Sequence, residues 1–539
     1  MSDKLSEYRQ AVNPLPHKQH LWPLYGAGLD NLGQNGKPIE VAVPACGPDE
    51  LLIRHDACGL CFSDIKVITQ GQDHPRINRD MRKEPVVLGH EVCMTIVAVG
   101  ENLKNQYHVG DRLTLQTDII FKGEGLAYGY MLQGGLSQYS VIDERILNTD
   151  QGNFLIPLKP DLGYAESALS EPWACVVAAY RLKYRTALKD GGSTWIIGAG
   201  DSRVFTLSGG FDENSRPARV YLTNVPTAFL TWIQERAHKL NIELVEVPTV
   251  DALPVEFVDD IILLGANADL IEKVSPHLAV FGVMCLMADR PLERKVNIDV
   301  GRVHYHRWVY VGSTGTDISI AYSQTPVRSA LKPGGKAWFV GAGGPMGRMH
   351  VQRAIQFPGG PRTVVCTDVT DERLADLCSS FADEAKAKGI EFICLNPANK
   401  EAYQTEMAKF RQEGFDDIIV AAPVPVVIAD AATYLADQGV MNVFAGLARG
   451  SMVSLDMSQT YLNNTRIIGH SASGYGDMQE TVNRVTIGEL STNRSVAAVG
   501  SLNAARDGYQ AVKDMVFPGK VVIYPQIKDF PLTALHNLK

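Results

Sequence analysis

The segment 331–368 constrains the fold of this 539-residue chain more than any other stretch. An apolar strand ends at Val340 and leads into a glycine-rich turn, residues 341–347. A second apolar strand ends at Asp368, 21 residues beyond Gly347. Glycines let a backbone approach a pyrophosphate at a helix N-terminus, and a carboxylate about 20 residues further on accepts hydrogen bonds from ribose hydroxyls. This order predicts a dinucleotide-binding unit with cofactor contacts from Gly341, Gly343, Gly344, Pro345, Met346, Gly347 and Asp368.

An altered copy of this unit precedes it. Four segments recur in the same order, at an offset of 143 and then 157 residues: 186–192 with 329–335, 198–200 with 341–343, 259–262 with 416–419, and 282–284 with 439–441. They predict a duplicated α/β unit with an insertion in the second copy. In the first copy, Arg203 replaces the last glycine and Asn224 replaces the acid. The nucleotide is therefore assigned to the second copy.

Composition excludes several classes of protein. A net charge of −9 argues against a nucleic-acid partner, because such binders usually carry a basic patch. The first ten residues lack the apolar core of a signal peptide, and no stretch has the length of a membrane span. Nine scattered cysteines do not form a disulfide framework, which suits a reducing compartment. We therefore expect a cytoplasmic protein with no membrane partner.

Short alternating strands separated by Pro and Gly turns begin at Pro38 and predict a β-rich domain of about 150 residues. The preceding residues, 1 to about 35, are polar and aperiodic, and we expect an arm that lies on a later domain.

The β-rich region carries a set of polar residues that suits a catalytic metal. Cys61 is followed by Ser63 and Asp64, and the other members are the pair His90 and Glu91 and, later, Glu171. A thiolate, an imidazole and carboxylates are the ligands of a catalytic zinc that keeps one position open. Three plainer interpretations stay open at this point: a Cys that only packs in the core, a His-Glu pair at the surface, and a redox pair formed with Cys58. The redox pair lacks the thioredoxin-like βαβ unit expected beside it.

Taken together, the motifs resemble those of the zinc-dependent medium-chain dehydrogenase/reductases over residues 38 to 525. The motifs are Gly-Leu-Cys-x-Ser-Asp at Cys61, Val-Leu-Gly-His-Glu at His90, Val-Gly-Asp-Arg at Arg112, Gly-Gly-Leu-Ser-Gln-Tyr at Tyr139, Ser-Glu-Pro at Glu171 and the turn that ends at Gly347. Within the family, the chain is similar to the polyol branch, which includes sorbitol dehydrogenases and L-sorbose 1-phosphate reductases. The latter also resemble it at residues 70–74.

The resemblance implies an α/β plus β fold, with a GroES-like catalytic β-domain and two tandem Rossmann-like, doubly wound parallel sheets. The catalytic domain would be split, with its C-terminal part closing it after the α/β units. The expected bounds are residues 1–185 and 479–539 for the catalytic domain, 186–328 for the degenerate Rossmann-like domain and 329–478 for the NAD-binding domain.

The resemblance also implies the roles of the polar residues. Cys61 and His90 match the zinc ligands of the family, and Glu91 and Glu171 match the carboxylates that share the remaining coordination. Ser63 matches the hydroxyl that passes the alcohol proton outward, and Asp64 the carboxylate that orients the His ligand. The chain departs from the family in lacking the cysteine-rich lobe of the structural zinc, in having Ala342 where the first glycine usually stands, and in the extra α/β unit.

These features predict an enzyme with one catalytic zinc and NAD. Hydride would pass between the nicotinamide and a hydroxyl or ketone of a polyol, sugar or sugar phosphate. NAD is favoured over NADP because the carboxylate of Asp368 would repel a 2′-phosphate. The alternatives are a zinc-free enzyme of the quinone-reductase kind and a non-catalytic nucleotide sensor, and the complete ligand set argues against both.

The extra unit suggests a partner built into the chain. Each copy keeps a closing strand, at residues 308–312 and 466–469, and two such strands in one chain predict an intrachain pseudo-dimer that covers an exposed sheet edge. The segment around His304 would then form a wall of the substrate cleft. The alternative is a duplicated domain that only enlarges the core, and a homo-oligomer is left open.

Overall fold

The computed structural model describes Ser6, Tyr8, Arg9 and residues 14–323, 328–527 and 529–538, so most of the first thirteen residues lie outside the described part. The chain forms two compact units. The first contains residues 1–178, 344–349 and 472–539, and the second contains residues 179–343 and 350–471. Among the described residues, no helix has the length and apolarity needed to cross a membrane.

The elements are numbered along the chain. The strands are β1 (Lys18–Leu21), β2 (Pro23–Leu24), β3 (Ile39–Ala42), β4 (Leu51–Leu60), β5 (Val86–Val87), β6 (Glu91–Val99), β7 (Arg112–Leu115), β8 (Asp118–Phe121), β9 (Glu124–Ala127), β10 (Tyr139–Ile142), β11 (Leu155–Pro157), β12 (Ser193–Gly198), β13 (Arg219–Thr223), β14 (Glu243–Glu246), β15 (Val258–Leu264), β16 (Leu278–Met287), β17 (Val296–Asp299), β18 (Val309–Ser313), β19 (Lys336–Val340), β20 (Thr363–Thr367), β21 (Glu391–Leu395), β22 (Phe415–Val420), β23 (Leu435–Val443), β24 (Met452–Leu455), β25 (Arg466–Gly469), β26 (Val496–Ser501), β27 (Lys520–Tyr524) and β28 (Thr533–Ala534).

The α-helices are numbered in the same way. They are α1 (Phe62–Gln70), α2 (Glu144–Leu147), α3 (Tyr164–Ala168), α4 (Ser170–Ala179), α5 (Thr227–Leu240), α6 (Ala268–Val274), α7 (Val300–His306), α8 (Ile318–Ser323), α9 (Pro345–Gln356), α10 (Asp371–Ala387), α11 (Lys400–Ala408), α12 (Pro425–Ala432), α13 (Gln459–Leu462), α14 (Tyr475–Thr486) and α15 (Ala505–Lys513).

The first unit is built around one mixed sheet. Its strand order is β11-β7-β6-β4-β27-β26-β28, and β10 also pairs with β4. The strand β4 is buried along its whole length, because it has neighbours on both edges and side chains packed on both faces. The C-terminal strands complete the sheet, since β27 pairs antiparallel with β4 through Val521 and Leu60. The predicted β-domain, closed by the end of the chain, is confirmed.

The predicted arm on a later domain is wrong for residues 18–32. Trp22 is fully buried, and its indole N–H donates to the Leu502 carbonyl oxygen at 2.7 Å. Leu24 and Leu32 belong to the same core. This core is that of the first unit itself, so residues 18–32 are an integral part of the β-domain. The polar composition of the segment concealed these few apolar side chains.

The second unit contains two six-stranded parallel sheets with matching topology. The orders are β14-β13-β12-β15-β16-β18 and β21-β20-β19-β22-β23-β25. In both sheets the first strand of the copy lies in the middle and the chain winds outward in both directions, as in doubly wound nucleotide-binding folds. The predicted duplication of Rossmann-like sheets is confirmed, whereas the domain bounds at residues 185, 328 and 478 stay a prediction.

The first copy differs from the second directly after its glycine turn. In the second copy, α9 follows the glycine turn, but residues 199–218 of the first copy contain no described helix. Phe205, Leu207 and Phe211 from this stretch are buried in the core instead. Arg203 folds back onto Asp201, with its Nη2 2.7 Å from Oδ2. Because helix N–H groups and their dipole attract a phosphate, a turn without a following helix lacks the usual anion site.

The two copies meet through equivalent elements. The strand β17 pairs antiparallel with β24, and Asn297 lies opposite Ser454. These two residues are equivalent under the 157-residue offset of the duplication, so the strand pairs with its own repeat. Such isologous pairing is the signature of a two-fold axis. An approximate two-fold axis therefore relates the copies and passes between Asn297 and Ser454.

The closing strands β18 and β25 are covered in the same reciprocal way. A Cβ atom added to Gly312 would lie 2.8 Å from the Cβ of Tyr461, and one added to Gly469 would lie 2.7 Å from the Cα of His304. His304 and Tyr461 are themselves equivalent under the offset. His304 Nδ1 lies 3.0 Å from the Val443 carbonyl oxygen. The edge of each sheet is thus covered by the other copy.

One disulfide, between Cys378 on α10 and Cys394 on β21, links a helix of the second copy to its edge strand. The other seven cysteines are free. The spacing of the cysteines in the sequence gave no indication of this pair.

The contact between the copies predicts the effect of adding a methyl group at its two glycines. Gly312→Ala and Gly469→Ala should each destabilise the second unit by about 1–3 kcal/mol, because the added carbon overpacks the interface. Urea unfolding of the second unit measures this change. Gly315→Ala is the control in the same unit, because an added Cβ there meets only the Ser313 hydroxyl oxygen, at 3.4 Å. Unchanged stability of both interface variants would show that the copies are not in tight contact.

Candidate active site

Strand pairing in the first unit brings distant residues together. Cys61 follows β4 and stands at the N-terminus of α1, while His90 and Glu91 stand at the start of β6. The antiparallel partner of Glu91 on β4 is Gly59. The Sγ atom of Cys61, a ring nitrogen of His90 and a carboxylate oxygen of Glu91 consequently lie within 4.8 Å of one another. This cluster can hold a metal ion.

Asp64 fixes the ring of His90. Its Oδ1 lies 3.0 Å from Nδ1, and its Oδ2 accepts hydrogen bonds from the Tyr509 hydroxyl at 3.1 Å and the Cys61 backbone N–H at 3.3 Å. Asp64 is fully buried. Nε2 of His90 is thereby directed away from Asp64, 3.4 Å from the Ser63 hydroxyl. Burial alone would lower the pKa of His90, but the charge of Asp64 raises it well above its ordinary value. The surroundings of this imidazole favour a positive charge.

Glu91 forms a buried ion pair that the sequence did not reveal. Its Oε1 accepts a hydrogen bond from the Lys520 ammonium group at the start of β27. Glu91 is fully buried and the side chain of Lys520 is 5% exposed. Burial would lower the pKa of Lys520, but the charges of Glu91 and Cys61 raise it. The only sequence signal was a lysine at the start of an apolar strand, 429 residues after Glu91.

The second carboxylate oxygen of Glu91 lies beside Gly59 and has no hydrogen-bond partner among the described residues. Its Oε2 is buried and makes no hydrogen bond to any described residue. A Cβ atom at Gly59 would lie 2.1 Å from it, so glycine is needed at this position on β4. A buried carboxylate oxygen normally has a hydrogen-bond donor or a cation beside it. This orphaned atom next to Cys61 and His90 fits a bound metal ion.

Glu171 lies close to this cluster but is not one of its members. It is nearly buried at the N-terminal end of α4 and accepts a hydrogen bond from the Thr117 hydroxyl at 3.3 Å. Burial is the main cause that raises the pKa of Glu171 to about 7. The charge of His90 acts to lower this pKa, and the charge of Glu91 acts to raise it. The predicted role of Glu171 as a fourth ligand stays a prediction.

Tyr130 is a further residue of the site that the sequence analysis did not identify. Its ring lies edge-on to that of His90, with the centroids 5.9 Å apart, and its hydroxyl hydrogen bonds to Ser63. Tyr130 is 5% exposed. It therefore forms a wall of the site, and it follows a loop that carries no recognisable motif.

The predicted nucleotide residues of the second copy are arranged around the end of β19. Gly341 has a positive φ of 77°, and its N–H donates to the Thr367 carbonyl oxygen. The N–H of Gly343 donates to Asp368 Oδ2 at 3.0 Å. The acid at the end of β20 thus adjoins the glycine turn, as the sequence order predicts. Pro345, Met346 and Gly347 form the first turn of α9, which follows directly in the chain.

Comparison with known proteins is consistent with this geometry. A family model of the alcohol dehydrogenase GroES-like domain matches residues 47–149. The mannitol-1-phosphate 5-dehydrogenase of Aliivibrio fischeri is 24% identical over 500 residues, which cover 92% of this chain and 85% of that protein. The L-sorbose 1-phosphate reductase of Klebsiella pneumoniae is 26% identical over 296 residues, covering 51% of this chain and 71% of that protein. The 2R,3R-butanediol dehydrogenase from Bacillus subtilis shares the fold, with a TM-score of 0.54 and 14% identity over 94% of this chain and all of that one.

A GroES-like domain of the alcohol dehydrogenase type is thus combined with doubly wound parallel sheets, the fold that the butanediol dehydrogenase shares. The chain carries this GroES-like domain over residues 47–149 and is similar to polyol and sugar-phosphate dehydrogenases. It is accordingly an NAD(P)-dependent oxidoreductase that acts on a small molecule.

The buried ion pair predicts that Lys520 is needed for stability. Lys520→Met should destabilise the first unit by about 3–5 kcal/mol, because it leaves the Glu91 carboxylate buried without its counter-charge. Lys513→Met removes an exposed lysine from α15 and serves as the control. Thermal and urea unfolding compare the two variants. An equal, small effect of both would mean that the buried pair adds nothing to stability.

Proposed function

We propose that this chain is a zinc- and NAD-dependent dehydrogenase that interconverts a hydroxyl group and a ketone on a polyol or sugar, with phosphorylated polyols as the preferred substrates. The donor cluster of Cys61, His90 and Glu91 carries this proposal. The names of two relatives, a mannitol-1-phosphate dehydrogenase and an L-sorbose 1-phosphate reductase, support the substrate class. The intact cluster argues against a zinc-free reductase and against a nucleotide sensor without catalytic activity.

The residues of the cluster suit zinc chemically. A thiolate, an imidazole nitrogen and a carboxylate are all zinc ligands, and catalytic sites use three protein ligands and leave a fourth position open. The orphaned Oε2 of Glu91 and the anionic surroundings of His90 both favour a cation at this place. We assign Cys61, His90 and Glu91 as ligands, and Glu171 as the carboxylate that shares the remaining coordination.

The protein residues would position the substrate and move its proton. Bound zinc supplies a Lewis acid that lowers the pKa of a substrate hydroxyl, and bound NAD supplies the hydride acceptor. Ser63, which is partly exposed, accepts the hydroxyl proton and passes it towards solvent. Asp64 holds His90 in one orientation, and Tyr130 holds Ser63 through its hydroxyl group. Lys520 balances the charge of Glu91, so the net charge of the ligand set stays moderate.

The first test of this proposal is the metal content. We expect one zinc per chain, and Cys61→Ala should lose both the zinc and the turnover while keeping the native circular dichroism spectrum. Cys46→Ala, which removes a half-buried thiol outside the cluster, should keep both. Elemental analysis of the purified proteins provides the count. Two zinc ions per chain, or none, would contradict the assignment.

We assign NAD to the second copy, with Gly343, Gly344 and Gly347 at the pyrophosphate and Asp368 at the adenosine ribose. The hydrogen bond from Gly343 to Asp368 and the position of α9 after the turn support this choice. In the first copy, the absence of a described helix after β12 and the ion pair of Arg203 with Asp201 argue against a second site. NAD is preferred to NADP because Asp368 would repel a 2′-phosphate.

The second test is a titration with both cofactors. NAD should bind with one site per chain, and Asp368→Ala should weaken it roughly tenfold to a hundredfold, since charge-assisted hydrogen bonds are lost. The same variant should discriminate less against NADP. Asn224→Gly alters the corresponding position of the first copy, where φ is already positive, and should leave NAD binding unchanged. Two sites of comparable affinity would overturn the assignment.

We further propose that the first copy acts as a built-in partner for the second. The reciprocal packing of His304 and Tyr461 on the opposite closing strands supports an intrachain pseudo-dimer. The contact of His304 with the Val443 carbonyl oxygen lies at the carboxyl end of β23, the edge where doubly wound sheets bind their ligands. In this arrangement one chain binds a single dinucleotide, and the first copy contributes structure to the second.

A further inference from the structure

A group of basic side chains lies beside the donor cluster of the first unit and has no part in the mechanism above. Lys66 lies one turn beyond Ser63 on α1, at the i+3 spacing that places both side chains on one face of the helix. His74 and Arg76 follow α1 in the chain, and His74 closes the segment 70–74. We call Lys66, His74 and Arg76 the basic cluster.

The ring of Tyr130 connects the basic cluster to the donor cluster. The ring of His74 lies 5.7 Å from it, the guanidinium carbon of Arg76 lies 5.4 Å from it, and the ring of His90 lies 5.9 Å from it, all measured to ring centroids. His90 is thus on one side of a buried aromatic wall that also carries His74 and Arg76. A substrate that reaches the donor cluster along this wall would have its far end near the basic cluster.

The members of the basic cluster have donors left for a ligand. The backbone N–H of Arg76 donates to His74 Nδ1 at 3.3 Å, which places the proton of the neutral ring on Nε2 as an outward donor. Arg76 contacts Asp118 through Nη2, and its side chain is 45% exposed. For Lys66, no ion pair is found within the part of the chain that the structure describes. Burial lowers the pKa of His74, and the charges of Arg76 and Lys66 lower it further.

We propose that Lys66, His74 and Arg76 bind the phosphate group of a phosphorylated polyol while its reacting hydroxyl lies at the donor cluster. This inference rests on the proposed function and assigns the recognition of the phosphate to named residues. A guanidinium fork, an ammonium group and an imidazole N–H are the donors that phosphates accept from. Arg76 is paired with Asp118, and the charge of Lys66 leaves the cluster positive for a dianion.

Two clusters beside one aromatic ring suit a substrate that has a polar group at each end. The name of the Aliivibrio fischeri relative puts the phosphate on carbon 1 and the reaction at carbon 5 of one polyol chain. A substrate of this kind presents its phosphate and its reacting carbon at opposite ends, with polar hydroxyl groups between them. The ring of Tyr130 contacts His90 of the donor cluster as well as His74 and Arg76 of the basic cluster, so both clusters lie beside one ring. An unphosphorylated polyol would use only the donor cluster.

The test compares one polyol with and without its phosphate. Steady-state kinetics with mannitol 1-phosphate and mannitol are measured for the wild type, Lys66→Gln, Arg76→Gln and the double variant. Each single variant should lower kcat/KM for mannitol 1-phosphate roughly tenfold to a hundredfold more than kcat/KM for mannitol, mainly through KM. Arg82→Gln removes an exposed arginine six residues beyond Arg76 and should leave both values unchanged.

A binding experiment without turnover completes the test. Titration calorimetry with mannitol 1-phosphate should give a dissociation constant that rises for the double variant by a larger factor than for either single variant. If mannitol 1-phosphate and L-sorbose 1-phosphate are not turned over by the wild type with either cofactor, the proposed function is wrong. If the wild type uses a phosphorylated substrate and the variants lose activity on both substrates equally, or on neither, the function stands and the phosphate site is overturned.

Discussion

The burial of charge beside Cys61 is the constraint on which the first unit depends. Asp64 and Glu91 are both fully buried, and a carboxylate in that environment is costly without hydrogen bonds or a counter-charge. The compensation comes from two separate parts of the chain: His90 from the β-rich region, and Lys520 and Tyr509 from the C-terminal segment. The domain therefore cannot form its site from its N-terminal part alone, which is a physical reason why its sheet is completed by the end of the chain.

This requirement also explains local features that have no catalytic role. Glu91 needs space on the neighbouring strand, which only glycine at position 59 provides. Gly89, with φ of 99°, precedes His90, and a Cβ atom there would lie 2.5 Å from the Sγ of Cys58. Cys58 is buried in this tight packing, so it acts as a small apolar residue and not as the redox partner of Cys61. Glycine is needed at these two positions because neighbouring segments approach them too closely for a side chain.

The sequence predicted those parts of the fold and of the site whose residues lie close together along the chain. The order of strand, glycines, helix and acid predicted the sheet of the second copy. The close spacing of Cys61, Ser63 and Asp64 predicted the candidate site residues that lie at the start of α1. Contacts made by isolated residues, such as Lys520 with Glu91 or Tyr130 with His90, had no local pattern and required the folded chain. The buried Trp22 was missed for a similar reason, since a single apolar side chain in a polar segment has no periodicity.

The duplicated unit shows which parts of a fold tolerate loss. The first copy lacks a described helix after its glycine turn, and Arg203 and Asp201 form an ion pair within that turn. It has nevertheless kept Gly312 at its closing strand, as the second copy has kept Gly469, and its β17 still pairs with β24. A nucleotide site can be lost at no cost to folding, whereas an uncovered sheet edge leaves unpaired N–H and C=O groups and invites association. The features that the two copies still share lie on the surface where they meet. The fold of the second copy depends on this surface of the first.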